Sequence, residues 1–200
     1  TLTVSGGNVS SASASIGNNS TAIISGGNWI NSGNLYIGTN NSRLTIETGG
    51  LVTVAGSLTN TATGIINLNT GGSLSIGVGG TTGELNTNGA FTYNGTLIFN
   101  RTSGYTYAGN LGGSGSLIKQ GSNALILTGT NTYNGTTTIN AGTLQIGNNN
   151  SEIGNIGSGN FVNNGNLDFR HDLSRTVSGT ISGTVRRIRA MGPPRPLSHS

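Results

Sequence analysis

The chain has 200 residues, of which 36 are Gly, 3 are Pro and none is Cys, and only 32% are hydrophobic. Its formal charge of +4 is misleading, because residues 1–184 carry five basic side chains (Arg43, Arg101, Lys119, Arg170, Arg175) and five acidic ones (Glu47, Glu84, Glu152, Asp168, Asp172), leaving Arg186, Arg187, Arg189 and Arg195 as the whole excess. A neutral body excludes nucleic-acid binding by an electrostatic footprint, the lack of Cys excludes a disulfide framework or a thiolate metal site, and no apolar run reaches the roughly 18 residues of a membrane-spanning helix.

Low hydrophobicity without high net charge is not the composition of a disordered chain. Gly and Asn serve turns because both tolerate positive φ, and the apolar residues come in alternating pairs, so many short strands are expected. The length suits one or two domains, or one segment of a solenoid. Beginning at Thr1 with no signal peptide, the chain is expected to be an internal piece of something longer. A Cys-free chain also suits export in extended form.

From the N-terminus, LTVSGG begins at Leu2, AIISGG at Ala22, LTIETGG at Leu44 and IINLNTGG at Ile65. Between them lie ASIG ending at Gly17, LYIG ending at Gly38 and SLSIG ending at Gly77. The recurrence is about 20–22 residues, too short for a unit to bury its own apolar side chains, so neighbours must stack. Strand rise and strand spacing then allow one coil of short strands per repeat, stacked at about 4.8 Å. Val4, Ile24 and Ile46 are expected to lie above one another, as are Ile16 and Ile37. In LTIETGG, Leu44 and Ile46 face inward while Thr45 and Glu47 face solvent. The fold class is therefore all-β, a parallel β-helix made as a single-stranded solenoid of about nine coils, roughly 43 Å long.

A longer repeat relates GAFTYNGTLIF at Gly89 to GNFVNNGNLDF at Gly159, 70 residues on; Gly89–Gly113 and Gly159–Gly183 share nine identities in 25 positions. Agreement then fades. Arg187 stands at the offset of Leu117 and Arg195 at that of Leu125, and Met191, Pro193, Pro194 and Pro196 sit in this stretch. Arginines do not belong inside a coil and prolines remove ladder donors. Residues 185–200 are therefore read as an aberrant basic, Pro-rich tail that packs poorly, out of frame or from a foreign junction. The alternative is a native basic tail for an acidic surface.

GSGSLIKQGSNALILTGTNTYNGTTTINAGTLQIG, residues 113–147, closely resembles the autotransporter-associated β-strand repeat of bacterial autotransporter passenger domains. The pattern is met by Gly113, Gly115, Leu117, Lys119 and Gly121, then by Leu125, Leu127, Gly129, Asn131, Thr132, Tyr133 and Gly135, and finally by Thr137, Ile139, Gly142, Leu144 and Gly147. GGNWINSGNLYIGTNNSRLTIETGGLVTVAG is similar to other passenger repeats. The resemblance covers most of 1–184 and implies a right-handed β-helix on the bacterial cell surface, tethered to the outer membrane in the parent protein. It further implies export through a C-terminal outer-membrane barrel of that parent, with the repeats aiding translocation and folding. The function expected is structural: a stalk or adhesin-like segment, with a host or bacterial surface ligand as partner, no nucleic acid and no direct membrane insertion. The alternative is a β-helix carbohydrate-binding or carbohydrate-active module.

No catalytic, cofactor or metal residues are expected. DFRHD, Asp168–Asp172, puts Asp168, Arg170 and Asp172 on one strand face beside His171, but Asp168 aligns with Ile98 and is read as an outward, solvated position. Five acids scattered over 184 residues do not supply the clustered carboxylates of carbohydrate-active enzymes. GGSGSL at Gly112 has Leu117 where a calcium-binding roll needs Asp, and no helix or Lys-Ser/Thr follows to make a phosphate loop. Asn8-Val9-Ser10 and similar triplets are expected by chance. Tyr93, Tyr105, Tyr107, Tyr133 and Trp29 are read as capping turns or covering the core, the alternative being a carbohydrate surface. Thr136–Thr138 resembles an ice-binding row but does not recur in register.

Overall fold

The computed structural model describes residues 1–148, 154–170 and 177–184, together with the backbone of 187–190. Every strand pairing among these residues is parallel, and strands one coil apart are neighbours. That is a β-solenoid. Alternation of apolar and small polar residues over three to six positions makes most of the strands.

Four sheets form its faces. The first contains Leu2–Val4, Thr21–Ile24, Arg43–Ile46, Ile65–Leu68 and Ala90–Tyr93. The second runs the full length in nine strands, from Asn8–Ser11 to Ile181–Ser182. The third holds Ala14–Ile16, Leu35–Ile37, Ser57–Asn60 and Glu84–Thr87. The fourth takes over that side further on, with Tyr105–Tyr107, Ala124–Leu127, Thr143–Ile146, Asn166–Phe169 and Arg187–Ala190. Nine rungs of the second sheet are separated by eight turns, so the stack measures about 38 Å rather than the 43 Å expected.

The expected columns are present. Val4 pairs with Ile24, Ile24 with Ile46, Ile46 with Leu68, and Leu68 with Tyr93, 25 residues on. Ile16 pairs with Ile37. On the second sheet Trp29, Val52, Leu74, Leu97, Leu117, Thr137 and Phe161 make one vertical row. All of these are buried. Each buried aliphatic side chain contributes roughly 1.5–3 kcal/mol, and stacking like on like leaves few voids.

Two expectations need correction. Thr45 faces outward but is buried, because Ile23 and Asn67 flank it in adjacent rungs. Arginine does enter the coil: Arg101 is buried, with its guanidinium bonded to the carbonyls of Gly83 and Thr81 and to Ser103 Oγ. Within the stretch read as an aberrant tail, Arg187–Ala190 pairs in parallel with Asn166–Phe169. There Ile188 takes the register of Leu167 and Arg187 that of Asn166. Residues 185–186 and 191–200, with the prolines, lie outside the described residues.

The 70-residue repeat is preserved in sequence but turned by one face. Phe91 and Leu97 lie on the first and second sheets, whereas Phe161 and Leu167 lie on the second and fourth.

Candidate functional site: the polar core of residues 117–146

Inward positions of this segment are not uniformly apolar. Leu117, Leu125, Leu127, Ile139, Leu144 and Ile146 are buried, and so are Lys119, Asn131, Tyr133 and Thr137. Every buried polar atom must be matched, because an unmatched one costs about 1–3 kcal/mol. Tyr133 Oη and Thr137 Oγ1 lie 2.7 Å apart and satisfy each other. Burial raises the Tyr133 phenol well above its ordinary range.

Lys119 stacks in register between Phe99 and Ile139. Its stem lies in the core, and its Nζ curls back to donate to the carbonyls of Gln120 (2.6 Å), Gly121 (2.9 Å) and Ala141 (3.3 Å). An ammonium has three protons, and three carbonyls at a coil corner accept them. Burial lowers its pKa to about 8. Gly121 makes this corner possible: its φ is +78°, and a Cβ there would strike the Arg101 carbonyl one coil below.

Asn131 is fully buried on the side where no strand is assigned. Its Oδ1 accepts from Leu111 N–H at 3.0 Å, and its Nδ2 donates to the carbonyls of Gly129 (3.1 Å) and Asn155 (2.7 Å). One side chain thus joins three successive coils where the backbone ladder lapses. Asn60 on the third sheet joins its own coil to the next, donating to Gly64 and Ala90 and accepting from Asn88 and Gly89. Outward asparagines stitch turns in a simpler way: Asn94, Asn110, Asn160 and Asn164 each accept from the backbone N–H 20 residues ahead. These bonds account for much of the Asn in the composition.

The glycines of the segment stack too. A Cβ at Gly115 would meet the Tyr93 ring; at Gly135, the Gly115 carbonyl; at Gly159, the Gly135 carbonyl; at Gly179, the Gly159 carbonyl. Gly113, Gly142 and Gly147 have positive φ, and Gly129 faces the Gly109 carbonyl. Thr132 is exposed, its N–H bonded to Leu111 O.

The geometry is that of a stacking unit: apolar columns, corner glycines and inward polar groups bonded to backbone or to one another. Residues 117–146 match the family model of the passenger-associated-transport-repeat. This segment is an autotransporter passenger repeat. No curated protein and no solved structure matches the chain at a significant level.

Around the passenger repeat, the aromatic residues are core rather than surface. Trp29, Tyr93, Tyr107 and Tyr133 are buried, Tyr93 meets Tyr133 edge-on at 5.7 Å, and Trp29 Nε1 donates to Ser11 Oγ at 2.9 Å. Burial, with Tyr133 and Tyr107 nearby, raises the Tyr93 phenol far above its ordinary range, and burial pushes Tyr107 up to about 12. Tyr105 has a role no sequence pattern announced. Its Oη accepts from Leu85 N–H (3.0 Å) and donates to Leu85 O (2.9 Å), taking the place of a strand where the third sheet ends and the fourth begins. The signal available was the glycine-rich stretch GVGGTTG, 77–83, just before the coil in which the sheets change.

Asp168 is buried rather than solvated, in register with Gln145, and Arg170 Nε donates to its Oδ2 at 2.8 Å. The strand one coil below covers it, and Arg170 compensates its charge. His171 and Asp172 lie outside the described residues, so DFRHD is described only as far as Arg170. Among the described residues no three His, Asp or Glu side chains gather as a metal group.

Proposed function

We propose that this chain is a structural segment of a surface-displayed autotransporter passenger, a stalk or adhesin-like solenoid whose repeats assist translocation and folding. The match of residues 117–146 to the passenger-associated-transport-repeat carries this reading. The family also implies a surface or secreted setting for the parent protein.

The repeat's stacking chemistry supports a role in export. Residues 116–146 complete rungs on the second and fourth sheets, each paired to the coil before it. A coil that has folded outside presents a full strand edge to the next, and burying the next set of Leu and Ile side chains opposes its return. A few buried leucines per coil, at roughly 1.5–3 kcal/mol each, make that bias strong compared with thermal energy. The partner in this scheme is the C-terminal outer-membrane barrel of the parent protein. No catalytic step belongs to the proposal.

The test is Leu125→Asp or Leu127→Asp in the intact parent protein expressed on cells. Both leucines are buried, and an unpaired carboxylate there costs several kcal/mol. Surface exposure of the passenger, followed by protease accessibility over time, should slow severalfold. Unchanged accessibility would overturn the proposed role in export.

A further inference from the structure

The chain contains four Asn-Gly pairs, Asn88-Gly89, Asn94-Gly95, Asn134-Gly135 and Asn164-Gly165. Asparagine before glycine is chemically labile, because the glycine amide nitrogen can reach the side-chain carbonyl carbon without hindrance from a Cβ. The nitrogen must be free to leave its hydrogen-bonded position, and the asparagine side chain must be free to turn.

Three of the four pairs are held. Gly89 N–H donates to Asn60 Oδ1, Gly95 N–H to Leu68 O, and Gly165 N–H to Asn163 Oδ1. Two of the asparagines are held as well: Asn94 Oδ1 accepts from the N–H and Oγ of Ser114, and Asn164 Oδ1 from the N–H and Oγ1 of Thr184. Gly95 and Gly165 are buried. Asn88 is also exposed, with a side chain that makes no hydrogen bond among the described residues, so the bond from Gly89 N–H is what holds that pair, and Asn134-Gly135 lacks even that. Asn134 is exposed, its side chain makes no hydrogen bond among the described residues, and Gly135 N–H has no acceptor there.

We infer that Asn134 is a site of spontaneous deamidation in the folded protein, an ageing mark inside the passenger repeat. Gly135 N bonds to Asn134 Cγ, the Cγ–Nδ2 bond breaks, and ammonia departs carrying the proton lost by the amide. Water then opens the cyclic imide at either carbonyl, giving aspartate or isoaspartate. No oxidant or enzyme is needed. The product places a carboxylate in a body whose charges sum to zero, and the isoaspartate form lengthens the backbone at the corner where Asn134 N–H bonds to Gly113 O at 3.0 Å.

The experiment is peptide mapping by mass spectrometry of the full chain aged in mildly alkaline buffer, in parallel with a sample aged in concentrated urea. In native buffer, conversion at Asn134 should exceed that at Asn88, Asn94 and Asn164 by about tenfold, the ratio that one net backbone hydrogen bond supports. In urea the four rates should converge. The Asn134→Gln variant should lose the fast phase and leave the slow ones unchanged. Equal rates at all four sites in native buffer, or no conversion at Asn134 while another pair reacts, would overturn the assignment.

Discussion

The side chain of Asn131 donates to the carbonyl of Asn155 at 2.7 Å, across to the next coil, while accepting from Leu111 in the previous one. The bond spans a side of the solenoid that has lost its regular ladder, so the amide does there what a strand does elsewhere. Asn131→Ala leaves the buried Leu111 N–H and the Asn155 carbonyl without that partner, while the Gly129 carbonyl keeps its bond from Asn155 N–H at 3.1 Å. The expected cost is about 3 kcal/mol, read as a lower urea midpoint. Amide exchange should rise at Leu111 and stay slow at Leu97, which lies in a continuous sheet.

Tyr105→Phe removes one oxygen and nothing of the ring. Leu85 N–H and O would both lose their partner at the junction of the third and fourth sheets. The loss should be about 1–3 kcal/mol. Hydrogen exchange at Leu85 should quicken well before exchange at Leu58, whose rung is paired on both sides. Equal protection of Leu85 in both proteins would remove Tyr105 from its assigned place.

Most of this fold was legible in the sequence because its information is periodic. Val4, Ile24 and Ile46 recur at the coil length, and columns follow from recurrence alone. What was not legible depends on neighbours a coil away. Thr45 and Asp168 read as outward, which they are, but a stacked solenoid covers outward side chains with the rungs above and below. Lys119 could be matched to a repeat pattern, yet its three carbonyl acceptors come from a corner that exists only after folding. Arg101 broke the rule against interior arginine because the loop before it turns its carbonyls inward. Arg187 falls in register with Asn166 because the coil from Leu167 to Ile188 is one residue longer than that from Leu97 to Leu117, which the 70-residue offset does not show.

Two glycines should divide sharply on substitution. A Cβ at Gly50 would strike the Ile24 carbonyl, whereas at Gly80 nothing lies within 4 Å and φ is not positive. Gly50→Ala is expected to destabilise by about 2 kcal/mol through overpacking against backbone that cannot move aside. Gly80→Ala is expected to be neutral or to stabilise by about 0.5 kcal/mol, through loss of unfolded-state freedom. Thermal or urea midpoints of the two variants, measured side by side, give the comparison.

Stability should pass through a maximum in alkaline solution. Lys119 has its pKa lowered by burial to about 8 from an ordinary 10.5, so between these values the unfolded chain binds more protons than the folded one. Stability therefore rises with pH across that window, and the contribution is complete only above it. The tyrosines act in the opposite sense. Tyr93, Tyr105, Tyr107 and Tyr133 all have pKa values raised from 10.0, chiefly by burial, so above pH 10 the unfolded chain ionises while the folded one keeps its protons. Stability is then lost as pH climbs further. Urea midpoints measured at pH 7, 9.5 and 11 should rise and then fall. In Lys119→Met, which keeps a long apolar stem between Phe99 and Ile139, the rise should vanish and the fall remain; a rise that survives the substitution would assign it to another group.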